Sequence, residues 1–90
     1  MDKIVIEKPD KTKLEALGVN SWPIWQKGKS RFDWSYDERE TCYILEGRAE
    51  VETEAGSVVE FGKGDLVIFP AGMNCVWEIK QPIKKHYNMG

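Results

Sequence analysis

Three side chains in this sequence could carry out chemistry directly: the carboxylate of Glu40 and the thiols of Cys42 and Cys75. Carboxylate oxygen and thiolate sulfur both ligate divalent transition metals, and a catalytic zinc site typically has about three protein ligands. Cys42 follows Glu40 by two residues, so on a strand both side chains would face the same way. One hypothesis is therefore a Glu40, Cys42 and Cys75 site for a thiophilic metal. For Cys42 we favour the alternative of a small buried apolar residue, because free cysteine commonly has that role.

Cys75 could also act as a nucleophile without a metal. A thiol nucleophile needs a base or a positively charged neighbour that lowers its pKa. The one histidine, His86, lies near the C-terminus, and nothing in the sequence places it beside Cys75. We expect His86 instead to face solvent or to pack on a strand.

Aromatic residues accompany Glu40. Phe32, Trp34 and Tyr36 recur at a period of two and would share one face of a strand. Trp34 and Tyr36, together with Trp77, would form the aromatic walls of a pocket in which Glu40 is the one acidic anchor. Such a pocket suits a flat or cationic small molecule. Alternatively, the Tyr36 hydroxyl and the Trp34 N–H donate to Glu40, and the interior is simply filled.

The elements that must position these residues are short strands separated by turns rich in glycine. The predicted strands cover residues 4–6, 31–36, 41–45, 48–54, 57–61, 66–69, 74–79 and 84–88. Gly47 falls in a predicted turn, and Pro82 is expected to end the strand over 74–79. The one predicted helix is a short N-terminal turn, with Thr12 in a capping-box position and Gly18 at its end. This spacing predicts an all-β sandwich or barrel, with residues 1–90 forming a single domain.

Composition and charge exclude several classes of function. Thirteen basic and fifteen acidic residues nearly cancel, so no nucleic-acid partner is expected. No apolar segment approaches the ~20 residues that a membrane-spanning helix needs, and the N-terminus does not resemble a signal peptide. Two cysteines do not form a disulfide framework. We expect a soluble, cytoplasmic protein with no membrane partner.

Two spaced motifs resemble the signatures of the cupin superfamily. The first is Gly28-x5-Trp34-x-Tyr36-x3-Glu40-x6-Gly47. The second is Gly64-x5-Pro70-x-Gly72-x2-Cys75-x3-Ile79. In the family patterns, histidines stand where this chain has Trp34, Tyr36 and Cys75, and an asparagine stands where it has Ile79.

The resemblance narrows to very small single-domain cupins near the domains of ureidoglycine aminohydrolase and ethanolamine-utilisation protein Q. It implies an RmlC-like jelly-roll β-barrel, an interior pocket and a homodimer, in which the strand over 4–6 would pair with the partner subunit. Cupins hold a divalent metal on three imidazoles and a carboxylate. With the three histidines replaced, no cofactor is expected, and Glu40 and Cys75 remain as alternative ligands for a divalent transition metal.

These observations leave three hypotheses of function. The first, which we favour, is a cupin that binds a small molecule in its barrel without the histidine-held metal, through Trp34, Tyr36, Glu40, Cys42, Cys75 and Trp77. The second is a small enzyme, hydrolase- or lyase-like, that uses Glu40 and Cys75 on a nitrogen-containing or sugar-like metabolite, with or without a metal. The third is a structural or interaction module with a filled barrel.

Overall fold

The computed structural model describes residues 3–90 and is dominated by antiparallel strands. The strands are β1 (Val5–Glu7), β2 (Ile24–Lys27), β3 (Ser30–Ser35), β4 (Glu40–Thr53), β5 (Val58–Gly62), β6 (Leu66–Phe69) and β7 (Asn74–Met89). Helix α1 (Lys11–Leu17) and a 3₁₀ turn (Val19–Ser21) lie between β1 and β2. The all-β prediction with one short N-terminal helix is confirmed. No helix within residues 3–90 is long and apolar enough to cross a membrane.

The N-cap of helix α1 lies two residues before the predicted one. Asp10, rather than Thr12, is the N-cap, and its carboxylate accepts a hydrogen bond from the Lys13 backbone N–H at 2.8 Å. Aspartate is among the strongest N-cap residues, so it satisfies a free N–H of the first turn. Gly18 ends the helix as predicted, in the left-handed conformation with φ of 70°.

Strands β4 and β7 organise the whole sheet, and both are longer than the sequence predicts. They pair with each other along most of their lengths, with register shifts between Ile44 and Ala49. One half of the sheet, sheet I, contains β3, the N-terminal half of β7, the C-terminal half of β4, and β5. The other half, sheet II, contains β2, the C-terminal half of β7, the N-terminal half of β4, β6 and β1. Register shifts of this kind bend strands, so the same two strands contribute to both halves of the barrel.

The prediction that Gly47 and Pro82 interrupt strands is wrong for a specific reason. Both residues lie within long strands, at the irregular crossing between sheets I and II. Pro82 has no N–H to donate and is tolerated where the ladder is already disrupted. Gly47 has φ of 93°, and a Cβ atom added there would lie 2.1 Å from the Pro82 carbonyl oxygen. Glycine is therefore required for the two strands to approach each other.

Strand β1 pairs with β6 of the same chain, with Val5 opposite Ile68. One edge of β1 is therefore paired within the chain, and the expected pairing of this segment with a partner subunit stays a prediction. The outer face of sheet I carries ion pairs between exposed side chains, such as Arg31 with Glu78 at 3.3 Å and Arg48 with Glu60 at 3.3 Å. Exposed pairs of this kind contribute little to stability but keep this face hydrated.

The interior of the barrel is packed with aromatic rings. Tyr36 stacks on Phe69 with ring centroids 4.7 Å apart, and Trp77 packs against Phe61 at 5.3 Å and against Phe69 at 5.6 Å. Offset and edge-on contacts at these separations are favourable beyond the apolar area that they bury. These rings fill much of the space between the two sheets.

Candidate functional site

Glu40, the first residue of β4, is buried and forms an ion pair with a residue that the sequence analysis did not single out. Its Oε2 atom lies 2.6 Å from Nζ of Lys85 in β7. Glu40 and Lys85 are each only 5% exposed. Lys85 is opposite Ile44, which faces the same way as Glu40 because the two are four residues apart on β4. The alternation of the two strands therefore brings both charges to the interior.

The Lys85 ammonium also lies over two indole rings. Its Nζ atom is 4.9 Å from the ring centroid of Trp25 in β2 and 4.9 Å from that of Trp77 in β7. The π face of an indole attracts a cation, most strongly where water is excluded. Glu40, Trp25 and Trp77 therefore form a cation box, the term used below for these three groups around the Lys85 ammonium.

Tyr36 and Trp77 satisfy each other beside the cation box. The Trp77 indole N–H donates to the Tyr36 hydroxyl at 3.1 Å. Burial raises the pKa of Tyr36 far above its usual value, and the negative charge of Glu40 raises it further. The phenol therefore stays protonated and neutral, and the carboxylate receives its charge-assisted hydrogen bond from Lys85 rather than from the predicted tyrosine or tryptophan donors.

Both thiols are also held in the protonated form. The pKa of Cys42 is raised to about 12, mainly by burial. The positive charge of Lys85 lowers this pKa by a smaller amount, and the negative charge of Glu40 raises it. Burial, and then the Glu40 charge, raise the pKa of Cys75 to about 11. The Cys75 thiol lies 3.7 Å from the Trp34 carbonyl oxygen, to which it donates. A nucleophilic cysteine needs the opposite shift, so this environment does not activate Cys75.

His86 lies on the other face of β7 from Lys85 and Cys75. Its Nδ1 atom is 2.8 Å from the Trp22 carbonyl oxygen. The side chain lies on the outer face of the sheet, where it is nonetheless buried. Residues an odd number of positions apart on a strand face opposite ways, which separates His86 from Cys75 by the thickness of the sheet. His86 is a strand-packing residue, one of the two roles expected for it.

Trp34 lies at the rim of the barrel and not against Glu40. It is 45% exposed, sits opposite Cys75 across β3 and β7, and packs edge-on against Phe32 with centroids 6.2 Å apart. The six predicted site residues therefore fall into two groups. Tyr36, Glu40, Cys42 and Trp77 lie in the interior, whereas Trp34 and Cys75 lie at the rim.

Two adjoining clefts lie at this rim, where the strands of sheet I end. The larger, of about 530 Å³, is lined on its apolar side by Ile4, Val59, Pro70 and Met73. The smaller, of about 330 Å³, is lined by Trp34 and Cys75 among others. We call the two together the rim cleft.

A short chain of hydrogen bonds lies between the two parts of the rim cleft. Both parts share Thr53, Glu54 and Asn74 as lining residues. The Asn74 side-chain amide donates to Glu54 at 3.1 Å and accepts from the Ser35 hydroxyl at 2.6 Å. The rim cleft thus combines apolar walls with a few fixed polar groups, which is typical of ligand sites.

The residues at the signature positions do not fit a divalent metal. Trp34 has only an N–H donor and cannot ligate, and the Tyr36 hydroxyl already accepts the Trp77 indole N–H at 3.1 Å. The Glu40 carboxylate is already paired with Lys85 at 2.6 Å. Across residues 3–90, no group of three His, Cys, Asp or Glu side chains is arranged to hold a metal ion.

The sequence analysis missed Lys85 as an interior residue, and with it the contact between Lys85 and Trp25. A signal for Lys85 was present, because Ile83, Lys85 and Tyr87 continue the alternation of Cys75, Trp77 and Ile79. Taking Pro82 as a strand end broke that alternation and concealed the inward direction of Lys85. Trp25 had no comparable signal, since its position depends on β2 pairing with β7 sixty residues later.

Comparison with known proteins agrees with this fold. The family model described as EutQ-like cupin domain matches residues 14–87. A DUF861 family protein from Thermotoga maritima is 53% identical, with 98% of this chain and 100% of that chain covered and a TM-score of 0.97. No curated protein matches the chain.

Two further structures share the fold at lower identity. The putative ethanolamine utilization protein Q of Salmonella typhimurium is 23% identical over 73% of this chain and 53% of its own, with a TM-score of 0.67. The EutQ protein of Clostridium difficile is 20% identical over 97% of this chain and 68% of its own, with a TM-score of 0.69.

Proposed function

Because the chain belongs to the EutQ-like cupin domain family, we propose that it binds a small molecule in its barrel, at the rim cleft, without a histidine-held metal. The membership confirms the predicted resemblance to a small cupin near the ethanolamine-utilisation protein Q domains. The observation that supports the proposal is that the barrel is filled at its centre but open at its rim. Its centre is occupied by the Glu40–Lys85 pair and packed rings, whereas a cleft of about 530 Å³ stays open at the rim.

The lining of the rim cleft limits what would bind there. Ile4, Val59, Pro70 and Met73 offer an apolar surface, and Glu54 with Asn74 offers an acceptor and a donor at its edge. The exposed indole of Trp34 adjoins them in the smaller part. These groups favour a small molecule with an apolar or flat body and at least one hydrogen-bond-donating group. The volume lies within the ~300–1,000 Å³ typical of ligand sites.

A thermal-shift screen of small amines, ureides and sugars tests this proposal, with chemical-shift mapping by NMR for any compound that raises the melting temperature. Ala71→Trp should fill the larger part of the cleft and abolish binding, because Ala71 lines it at an exposed turn. Val58→Trp is the matched control, since Val58 is exposed and does not line the cleft. Ligand shifts that map away from the cleft, or survive Ala71→Trp unchanged, would contradict the proposal.

The absence of a metal requirement is tested separately. Protein purified without a metal-affinity step should carry only trace transition metal by elemental analysis. Stoichiometric metal that disappears on Cys75→Ala would overturn this part of the proposal and favour the enzyme hypothesis that uses Glu40 and Cys75.

We also propose that the chain forms a homodimer through the outer face of sheet II. Val5 and Ile24 are each 48% exposed on this face, at the two strands that form its edges. Exposed apolar residues on one sheet face favour an association surface that extends across that face. Light scattering with size-exclusion chromatography should show a dimer that Ile24→Glu dissociates, whereas Val58→Glu on sheet I leaves it intact. A monomer at all concentrations would refute the proposal.

A further inference from the structure

We propose that the cation box is a binding site for a primary alkylammonium ion, that Lys85 is its tethered occupant, and that the site accepts a free alkylammonium when the Lys85 side chain is removed. Glu40, Trp25 and Trp77 converge on one point from three strands, β4, β2 and β7. The Lys85 nitrogen lies at that point, 2.6 Å from the carboxylate and 4.9 Å from each indole. A carboxylate and two π faces are the groups that recognise an organic cation.

The charges around the box balance at one negative and one positive. From β4 the box is faced by Glu40 and Cys42, from β7 by Lys85 and Trp77, and Tyr36 lies beyond Trp77. Cys42 and Tyr36 stay neutral because burial raises the pKa of each. Among residues 3–90, Glu40 is therefore the one negative charge at this point, and a single monovalent cation neutralises it.

The geometry favours an ammonium over a metal ion. A divalent ion would need further anionic or lone-pair ligands, but the indole faces offer none and the Trp77 N–H is already donated to Tyr36. An ammonium needs only one strong acceptor here, since the cation–π contacts replace part of its lost hydration. The described groups in the interior leave no buried polar side-chain atom unpaired, so the occupied box is complete.

Chemical rescue of Lys85→Ala tests the inference. The truncation removes three methylene groups and the ammonium, which n-propylammonium replaces atom for atom. We expect n-propylammonium chloride to raise the melting temperature of the variant by about 6 to 11 °C per tenfold increase above its dissociation constant. The same concentrations of propan-1-ol and of sodium chloride should have little effect, because they supply the chain or the ionic strength without the cation.

Two variants and one measurement make the test decisive. Lys85→Ala/Glu40→Gln lacks the anion and should show no rescue by n-propylammonium, and Lys85→Met fills the cavity and should show none either. Equal rescue by propan-1-ol, or rescue that persists in the Glu40→Gln background, would overturn the inference. If Lys85→Ala does not fold, NMR of the wild type decides. The Lys85 side-chain methylene protons should be shifted upfield by the two indole rings, and resonances at exposed-lysine positions would overturn the inference.

Discussion

Lys85→Met should be one of the most destabilising conservative substitutions in this protein. Methionine keeps the length of the side chain but leaves the Glu40 carboxylate, 5% exposed, without its partner at 2.6 Å. Removing one member of a buried ion pair costs about 3–5 kcal/mol. In a domain of this size each kcal/mol shifts the melting temperature by about 4–8 °C, so we expect a decrease of roughly 12–40 °C.

A matched control lies on the same strand. Lys80, also on β7, pairs with Glu78 at 3.2 Å and with Glu50 at 3.7 Å, and its side chain is 34% exposed. Pairs in such exposed positions contribute about 0.2–1 kcal/mol. Urea unfolding followed by circular dichroism should therefore give a free energy of unfolding for Lys80→Met within about 1 kcal/mol of the wild type.

The double variant Glu40→Leu/Lys85→Met separates charge from packing. Replacing both members of a buried ion pair by apolar residues is often neutral or stabilising. The double variant should therefore recover most of the stability that each single variant loses. If Lys85→Met costs no more than Lys80→Met, or if the double variant is less stable than both single variants, the assignment of a buried ion pair is refuted.

The dependence of stability on pH gives an independent check on Lys85→Met. A buried carboxylate with no cation favours its protonated form, so the folded variant binds more protons near neutral pH than the unfolded chain does. Its free energy of unfolding should then rise as the pH falls from 7 toward the ~4.3 of an unfolded glutamate. Profiles of variant and wild type that run parallel over this range would contradict the reasoning.

Three further substitutions or measurements test other parts of the structure. Gly47→Ala should cost about 2 kcal/mol or more by urea unfolding, because its Cβ would lie 2.1 Å from a backbone carbonyl, whereas Gly56→Ala, with φ of 85° and no atom within 4 Å, should cost only the backbone strain. Cys75 should react with iodoacetamide about a hundredfold more slowly than a free cysteine, because its pKa is raised from 9.0 to about 11. Since the unfolded thiol loses its proton at lower pH than the folded one, the free energy of unfolding should also fall as the pH rises from about 9 through 11. Fast alkylation of the native protein would refute the raised pKa on which both expectations depend. Asp10→Ala should destabilise by about 1 kcal/mol and Thr12→Ala by less in thermal melts, since Asp10 is the N-cap.

Local patterns predicted most of the strands but not where they continue. Strand β6 (Leu66–Phe69) has the predicted bounds, and the alternation over 31–36 correctly placed Tyr36 inside. The long strands β4 and β7 were each divided in two because Gly47 and Pro82 are usual strand breakers. They are tolerated here because each compensates for the other at the crossing of two sheets. This close approach of Gly47 and Pro82 is a tertiary contact, so it cannot be predicted from the sequence of either segment alone.

The candidate site was harder to predict than the fold for a similar reason. Local alternation indicates which residues of one strand share a face. The contact between Glu40 and Lys85, however, joins residues that are 45 positions apart in the sequence. Trp34 shares a face with Tyr36, yet Trp34 is 45% exposed and Tyr36 only 2%. Depth within a barrel is set by strand stagger, which the sequence pattern does not specify.

Lys85 also accounts for the presence of Glu40 in an otherwise altered signature. With Trp34, Tyr36 and Cys75 at the other ligand positions, a lone buried carboxylate would be strongly unfavourable. Lys85 makes it tolerable, and Glu40 in turn makes the buried ammonium tolerable, so neither residue is readily replaced alone. A carboxylate committed to an internal partner is poorly placed to anchor a ligand. We therefore expect substitutions at the rim cleft, and not at Glu40, to change ligand affinity without changing stability.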